Sequence, residues 1–371
     1  MSKARQLADL GNVYDDGALS NRNLIINGAA NIQQRSAGTI VTSGSIYGPD
    51  RFRFATANMD NLSGTFTQNS DAPEGFGNSI KVTITTAESA IAADEYAYIN
   101  QHVEAQNLQQ LAYGTSAAKQ VTLSFYVKSS VTGTFAVGLY KADNTAQIHN
   151  LTYTISSANT WEYKTVTFAA NTLSGGEIDN DNGSGLSVNW HLAAGSDWKG
   201  GSSTSGWTSY ANNTWADGHV TDTVITTTNA TFQLTGVQLE CSDTATPFEH
   251  RSYGDELQRC FRYYEQWDCV DGENIHLGTS YNGQPVTAIK YIVRKRASPT
   301  ITLPTAGQTS GTISFLNGTG GYPTTTGTHS TSQVNNRGAR IASSGYSGIT
   351  SAQPAMLYTN GSTIFKFDAE L

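Results

Sequence analysis

The chain has 371 residues, enough for two or three domains that each bury a core of their own. Only 14% of them are charged, and Gly, Ser, Thr and Asn crowd the sequence, so short strands joined by turns are favoured over long helices and the expected class is all-β. A net charge of -8 provides no electrostatic footprint for a phosphate backbone or an anionic membrane surface, which argues against nucleic acid as a partner.

Residues 1–22 read as an arm. "KARQLADL" can form about two helical turns, too few to be stable alone, so the segment is expected to dock on another protein or fray. No apolar run of signal-peptide length opens the chain, and no stretch of membrane-spanning length follows. A protein made and kept in a cytosol, or leaving it without a secretion signal, and not inserted in a membrane, is the expectation. From Leu24 onward the strand patterns are "RFRFAT", "SIKVTITT", "YAYINQHV", "VTLSFYVKS", "TFAVGLY", "HNLTYTIS", "WEYKTVTF", "LSVNWHLAAG" and "TFQLTGVQLE". Turn chemistry separates them, as in "DAPEGFG" and "ADNT". About nine strands in roughly 220 residues predict a two-sheet sandwich or jelly roll over residues 23–250. One helical insertion is expected at "HVEAQNLQQLAYG", where Val103, Leu108 and Leu111 can share a face.

The stretch "GVQLECSDTATPFEHRSYGDEL" closes that domain: Pro247 stops strand pairing, and Ser252 with Asp255 three residues on resembles a helix start. The spacing predicts a connecting amphipathic helix over 251–268, with Leu257, Cys260, Phe261 and Tyr264 on one face and Glu256, Arg259, Arg262 and Gln266 elsewhere on its surface. Its stripe can pack on its own domain or on copies of itself about a symmetry axis. Residues 269–371 carry roughly seven more short strand patterns, from "NIHLGTSY" to a terminal "STIFKFDAEL", and suit a second, smaller β-sandwich.

Three cysteines, Cys241, Cys260 and Cys269, lack the spacing of a disulfide framework or a zinc site, and Cys260 on the apolar stripe reads as a small buried hydrophobe. Glycan hydrolysis needs two carboxylates about 5 to 10 Å apart across a cleft, and no pair is recommended by its spacing: Asp94 and Glu95 are adjacent, and on a strand they point to opposite faces. "EIDNDNGSG" offers Asp179 and Asp181 as a fragment of a calcium loop, but the twelfth position is Trp190 instead of a carboxylate, and an Asx-rich turn explains the same residues. The better binding signal is aromatic. Between Gly195 and Gly218 the chain places Trp198, Trp207, Tyr210 and Trp215 in a loop with hardly an aliphatic residue, flanked by Asp197, Asn212, Asn213 and Asp217. Such rings can stack on sugar faces, or can plug the end of a sandwich or an intersubunit seam.

An ordered set of segments carries a family resemblance: "NRNLIINGAANIQQRS", "YGPDRFRF", "NSDAPEGFGNSIKVT", "EYAYINQHVEAQNLQQLAYGT", "LSFYVKSSVTGTF", "NDNGSGLSVNWHLAAGS" and "LTGVQLECSDTATPFEHRSYGDELQRCFRYY". From about Asn23 to Tyr264 the chain resembles tail fibre or receptor-binding proteins of marine, podovirus-like bacteriophages. The resemblance implies a jelly roll similar to carbohydrate-binding modules, in a homotrimeric, non-enzymatic virion tail component that attaches to surface glycan of the host. It also implies anchoring to other phage tail proteins through residues 1–22, and keeps a structural calcium ion as a candidate for Asp179 and Asp181. A polysaccharide-cleaving tailspike and a tail adaptor without receptor binding are the alternatives.

Overall fold

The computed structural model describes residues 21–306, 312–317, 320–321, 328–345 and 352–371. The expected anchoring arm therefore lies outside the described residues, apart from Asn21 and Arg22. The chain divides into two compact units, residues 1–256 and 257–371.

The first unit is built from β1 (Gly38–Ile40), β2 (Gly44–Tyr47), β3 (Arg53–Ala57), β4 (Ser63–Asn69), β5 (Ser79–Thr86), β6 (Tyr96–Glu104) and β7 (Val121–Ser129), followed by β8 (Gly133–Lys141), β9 (Gln147–Ile155), β10 (Glu162–Phe168), β11 (Ser184–Ala194), β12 (Thr208–Ser209) and β13 (Thr231–Glu240). They form a six-stranded sheet in the order β1-β4-β5-β13-β7-β10 and a seven-stranded sheet in the order β12-β9-β8-β11-β6-β3-β2. The chain crosses repeatedly between the two sheets, as from β5 to β6, β6 to β7 and β9 to β10, and neighbours pair antiparallel, which is a jelly-roll β-sandwich. The alternation seen in the sequence is the cause: Val121, Leu123, Phe125 and Val127 of β7 and Phe232 and Leu234 of β13 point into one core, where they meet Phe54, Ile99, Val137, Val188 and Trp190 from the facing sheet. Trp190 is fully buried, edge-on to Phe125 with ring centroids 5.9 Å apart.

The stretch from Leu239 to Glu256 fastens the start of the domain to its end. Glu249 accepts hydrogen bonds from the Asn21 and Asn23 amides, Arg251 donates to the Ile25 carbonyl at 3.0 Å, and the Asn27 amide donates to Glu256 at 2.5 Å. The backbone of Leu24 donates to Leu239 and that of Val237 to Gly28, so residues 24–28 lie along β13. The approach is so close that a Cβ on Gly28 would stand 2.1 Å from the Val237 carbonyl oxygen.

Two expected helices come out differently. "HVEAQNLQQLAYG" continues β6 to Glu104 and then makes two single 3₁₀ turns, Ala105–Asn107 and Gln109–Leu111. Residues up to Glu104 stay extended because β6 pairs with β11 as far as Ser184, and just beyond this ladder the Ala105 and Gln106 amides donate to the carbonyls of Gly183 and Asp181. Val103, Leu108 and Leu111 are still buried. Helix α1 spans only Tyr253–Phe261, not 251–268. Its start is as expected, since the Ser252 hydroxyl accepts from the Asp255 amide at 3.2 Å and donates to the Asp255 carboxylate at 2.7 Å. Its end is not: Tyr264 opens a strand, because residues 264–269 pair along their whole length with the C-terminal strand, and a ladder of β-favouring side chains outweighs helical periodicity. Cys260 is buried as expected, whereas Glu256 is buried too, held by Arg251 and the Asn27 amide.

The second unit continues with β14 (Tyr264–Cys269), β15 (Asn274–Tyr281), β16 (Gln284–Lys290), β17 (Thr300–Thr302), β18 (Thr305–Ala306), β19 (Thr312–Asn317), β20 (Gly320–Gly321), β21 (Thr328–Ser332), β22 (Gly338–Ser344), β23 (Pro354–Asn360) and β24 (Thr363–Asp368). The sheet β14-β24-β17 and the larger sheet β18-β19-β23-β15-β16-β22-β21 share a core of Phe365 and Phe367 with Phe315, Ile341 and Leu357. This is the smaller sandwich the composition suggested.

Candidate functional site

The outward face of the seven-stranded sheet gathers the aromatic residues. β6 alternates sharply: Ala97, Ile99 and Val103 enter the core, so Tyr96, Tyr98, Asn100 and His102 face outward. Register sets their neighbours. Tyr98 lies opposite His191 of β11, and Asn100 lies between Asn189 of β11 and Arg53 of β3. Tyr140 of β8 lies opposite Ser187, one strand further on.

Residues 195–219 fold back over this face as an ordered lid. Three 3₁₀ turns and the short strand β12 shape it. Asn150 of β9 is buried beneath, donating to the Ser203 hydroxyl at 2.8 Å and the Thr214 carbonyl at 2.7 Å. Asp217 is buried and accepts from the Gly200 amide at 3.2 Å, so it organises the loop and is not displayed for a ligand. Asp197, Asn212 and Asn213 are exposed.

Three of the four predicted loop rings join the strand aromatics. Trp198 stands edge-on to Tyr96 with centroids 4.7 Å apart; Trp215 meets Tyr98 at 5.2 Å, Tyr140 at 5.6 Å and Tyr210 at 6.0 Å; and Tyr210 meets Tyr140 at 5.3 Å. Trp198, Tyr210 and Trp215 are half-buried, each set in the cluster with part of its surface open. Trp207 goes elsewhere. It is half-buried between Tyr113 and His149, donates its ring N–H to the Ala169 carbonyl at 2.7 Å, and packs on the sandwich core.

Beside the rings runs a polar ladder. Arg53 donates to the Asn100 side-chain amide oxygen at 3.0 Å and to the Tyr98 hydroxyl at 3.3 Å; the Asn100 side chain donates to the Ser187 hydroxyl at 3.0 Å; and Ser187 donates to the Asn189 side chain at 2.7 Å. Burial pushes the phenols of Tyr96, Tyr98, Tyr140 and Tyr210 above their ordinary range, so they stay protonated donors. Burial, with the adjacent His219, holds His191 well below the ordinary imidazole range, so the ring against Trp215 is neutral. Rings with open surface beside fixed hydrogen-bonding groups suit a ligand with both C–H faces and hydroxyls.

Tyr96, Tyr98, Tyr140, His191 and Arg53 were missed by sequence reasoning. Their signal was the outward half of "YAYINQHV", which reads as an ordinary solvent face until register brings the neighbouring strands alongside.

Asp179 and Asp181 are exposed, and the Asp181 carboxylate accepts from the Gly183 amide at 2.7 Å, the geometry of an Asx turn. The carboxylates that converge are others: Asp60, Glu88 and Glu95 place ligand oxygens within 4.8 Å of one another. Glu88 and Glu95 are 1% and 2% exposed, and no basic side chain of the described residues pairs with them. Asp94 and Glu95 lie in the turn before β6, one exposed and one buried, not along a strand.

No family model matches the chain, and no curated protein matches it in sequence. Among solved structures, the enzymatically active domain of bacteriophage CBA120 tailspike protein 4 is similar at 12% identity and a TM-score of 0.33, over 60% of this chain and 22% of that one. The chain thus spans about a fifth of that protein's length. The family 11 carbohydrate-binding module of Clostridium thermocellum cellulase Lic26A-Cel5E is similar at 15% identity and a TM-score of 0.27, over 57% of this chain and all of that one. The CBM22-1 xylan-binding domain of Paenibacillus barcinonensis Xyn10C is similar at 9% identity and a TM-score of 0.28, over 62% and 99%. These likenesses are distant, and what the site can do follows from its own side chains.

Proposed function

We propose that the protein is a non-enzymatic attachment component of a phage tail fibre, binding a surface polysaccharide on the outward face of the seven-stranded sheet. The observation that carries the binding reading is the convergence of Trp198, Tyr210 and Trp215 with Tyr96, Tyr98 and Tyr140 beside the ladder of Arg53, Asn100 and Ser187. The tail role rests on the ordered resemblance over residues 23–264. In this reading the chain is a homotrimer, residues 1–22 attach it to other tail proteins, and a structural calcium ion is held by Asp60, Glu88 and Glu95, not by Asp179 and Asp181. If each ring contributes on the order of 1 kcal/mol, a few rings hold a sugar only at about millimolar strength. Several copies on one particle then raise the apparent affinity by about 10² to 10⁴.

Affinity electrophoresis of the full chain through gels containing alginate, xylan or laminarin tests the binding, with light scattering for the oligomer. Retardation by at least one polysaccharide, weakened in Trp215→Ala, is expected. Migration unaffected by all of them would overturn the binding reading, and a monomer at micromolar concentration would overturn the trimer.

A further inference from the structure

The aromatic face carries a cation that has no counter-charge among the described residues. Arg53 follows Phe52 and precedes Phe54, both buried in the core, so its side chain projects outward between Tyr47 of β2 and Asn100 of β6. Its hydrogen bonds go to two neutral groups, the Asn100 side-chain amide oxygen and the Tyr98 hydroxyl, and the Asn100 side chain is itself fixed by Ser187. These contacts hold the guanidinium in place and leave most of its N–H donors unused.

Several other basic residues of the chain sit on acids. Lys128 pairs with Asp71, Lys164 with Glu162, Lys199 with Asp222 and Lys295 with Glu265, while Arg251 pairs with both Glu249 and Glu256. Among the described residues Arg53 makes no such pair, in a chain with 30 acidic residues against 22 basic ones. A half-buried guanidinium with its geometry fixed and no carboxylate in contact is arranged for an anion supplied from outside, since Arg matches planar or multi-oxygen anions with paired N–H donors. The adjacent rings of Tyr96, Tyr98 and Trp215 give that anion a sugar ring to be attached to.

We propose that Arg53 makes this face selective for an acidic saccharide, through the carboxylate of a uronic acid or the ester of a sulfated sugar. The inference rests on the reading that the aromatic face binds saccharide, and it adds the charge class.

The test is calorimetric titration of the full chain with oligomers of alginate, of carrageenan and of laminarin, which carry carboxylates, sulfates and no charge. Each is run at low and at raised salt for the parent, Arg53→Gln and Arg53→Lys. The expected result is that one of the acidic oligomers binds about tenfold more tightly than the neutral one, with an advantage that shrinks as salt rises. The identity of that oligomer decides between carboxylate and sulfate. Arg53→Gln should bring the acidic-to-neutral ratio close to one, and Arg53→Lys should restore part of it, both with melting temperatures near the parent's. A parent that binds laminarin as tightly as either acidic oligomer, or an acidic preference that survives Arg53→Gln, overturns the assignment of charge class while leaving saccharide binding in place. Failure of every oligomer to bind overturns the underlying reading together with it.

Discussion

The Lys295 ammonium stands 2.5 Å from a carboxylate oxygen of Glu265, and neither side chain reaches solvent. The pair is well supplied with further partners. Lys295 also donates to the Phe261 carbonyl, and Glu265 accepts from the Trp267 ring N–H at 2.6 Å and the Ile292 amide at 3.2 Å. Burial pulls the Lys295 pKa below its ordinary value, opposed by Glu265. Removing one partner strands the other charge in the interior. Glu265→Leu and Lys295→Met are each expected to lower stability by about 3 to 5 kcal/mol, whereas the double variant recovers a large part of the loss. Chemical denaturation of the four proteins checks this, and additive losses would show that the pairing is not what stabilises this unit.

The four loop aromatics separate into two roles, and substitution should show it. Trp207 packs on the core and satisfies its ring N–H at Ala169, so Trp207→Ala should cost stability, approaching the roughly 3 kcal/mol of a buried Trp, with little effect on polysaccharide binding. Trp215 touches Tyr98, Tyr140, Tyr210 and His191 on the outward face, so Trp215→Ala should weaken binding about tenfold with a smaller fall in melting temperature. Gel retardation and thermal melting on both variants give the comparison. The reverse pattern would move the recognition surface to the Tyr113 and His149 side of the sandwich.

What was legible in the sequence follows from what is locally encoded. β7 and β13 could be read because their alternate residues are aliphatic or aromatic and must face one core. The start of α1 could be read because a Ser252–Asp255 cap is a contact three residues apart. Its end could not, because Tyr264 leaves the helix to pair with Asp368, a residue more than a hundred positions away. Trp198, Tyr210 and Trp215 were visible as rings in a polar loop, but their destination depends on Asn150, Ser203 and Thr214 tying that loop onto β9. Tyr98 and Tyr140 acquire meaning only through the β6–β11–β8 register, and Arg53 only through the missing acid, neither of which is a property of local sequence. The Gly- and Thr-rich loop "LNGTGGYPTTTG" of the second unit lies mostly outside the described residues.

The buried carboxylates Glu88 and Glu95 give a pH signature with opposite signs. Burial raises both, but at Glu88 the amides of Asn61, Ser89 and Asp60 outweigh it and hold the carboxyl below the ordinary range. At Glu95 burial dominates, helped by the negative charges of Glu88, Asp60 and Asp94 and opposed by the Ala92 amide, so this carboxyl is held above the ordinary range. A raised carboxyl binds its proton more tightly folded than unfolded. Its contribution to stability is therefore fully present below the ordinary pKa of about 4.3 and is lost as pH rises through the folded value. Glu88 does the reverse, contributing above that ordinary value and losing its contribution as pH falls through its depressed one. In a chelating buffer Glu95→Gln, which keeps an acceptor for Ala92, should gain melting temperature relative to the parent between about pH 4.5 and 7, by an amount that grows with pH. A bound calcium ion changes the sign, because two buried carboxylates with no basic partner then face a cation. At millimolar calcium and neutral pH the parent should melt several degrees higher than in chelator, while Glu95→Gln gains much less and Asp179→Asn with Asp181→Asn gains as much as the parent. A calcium gain that survives Glu95→Gln and vanishes with the two Asp179 and Asp181 substitutions would return the metal to the turn before β11.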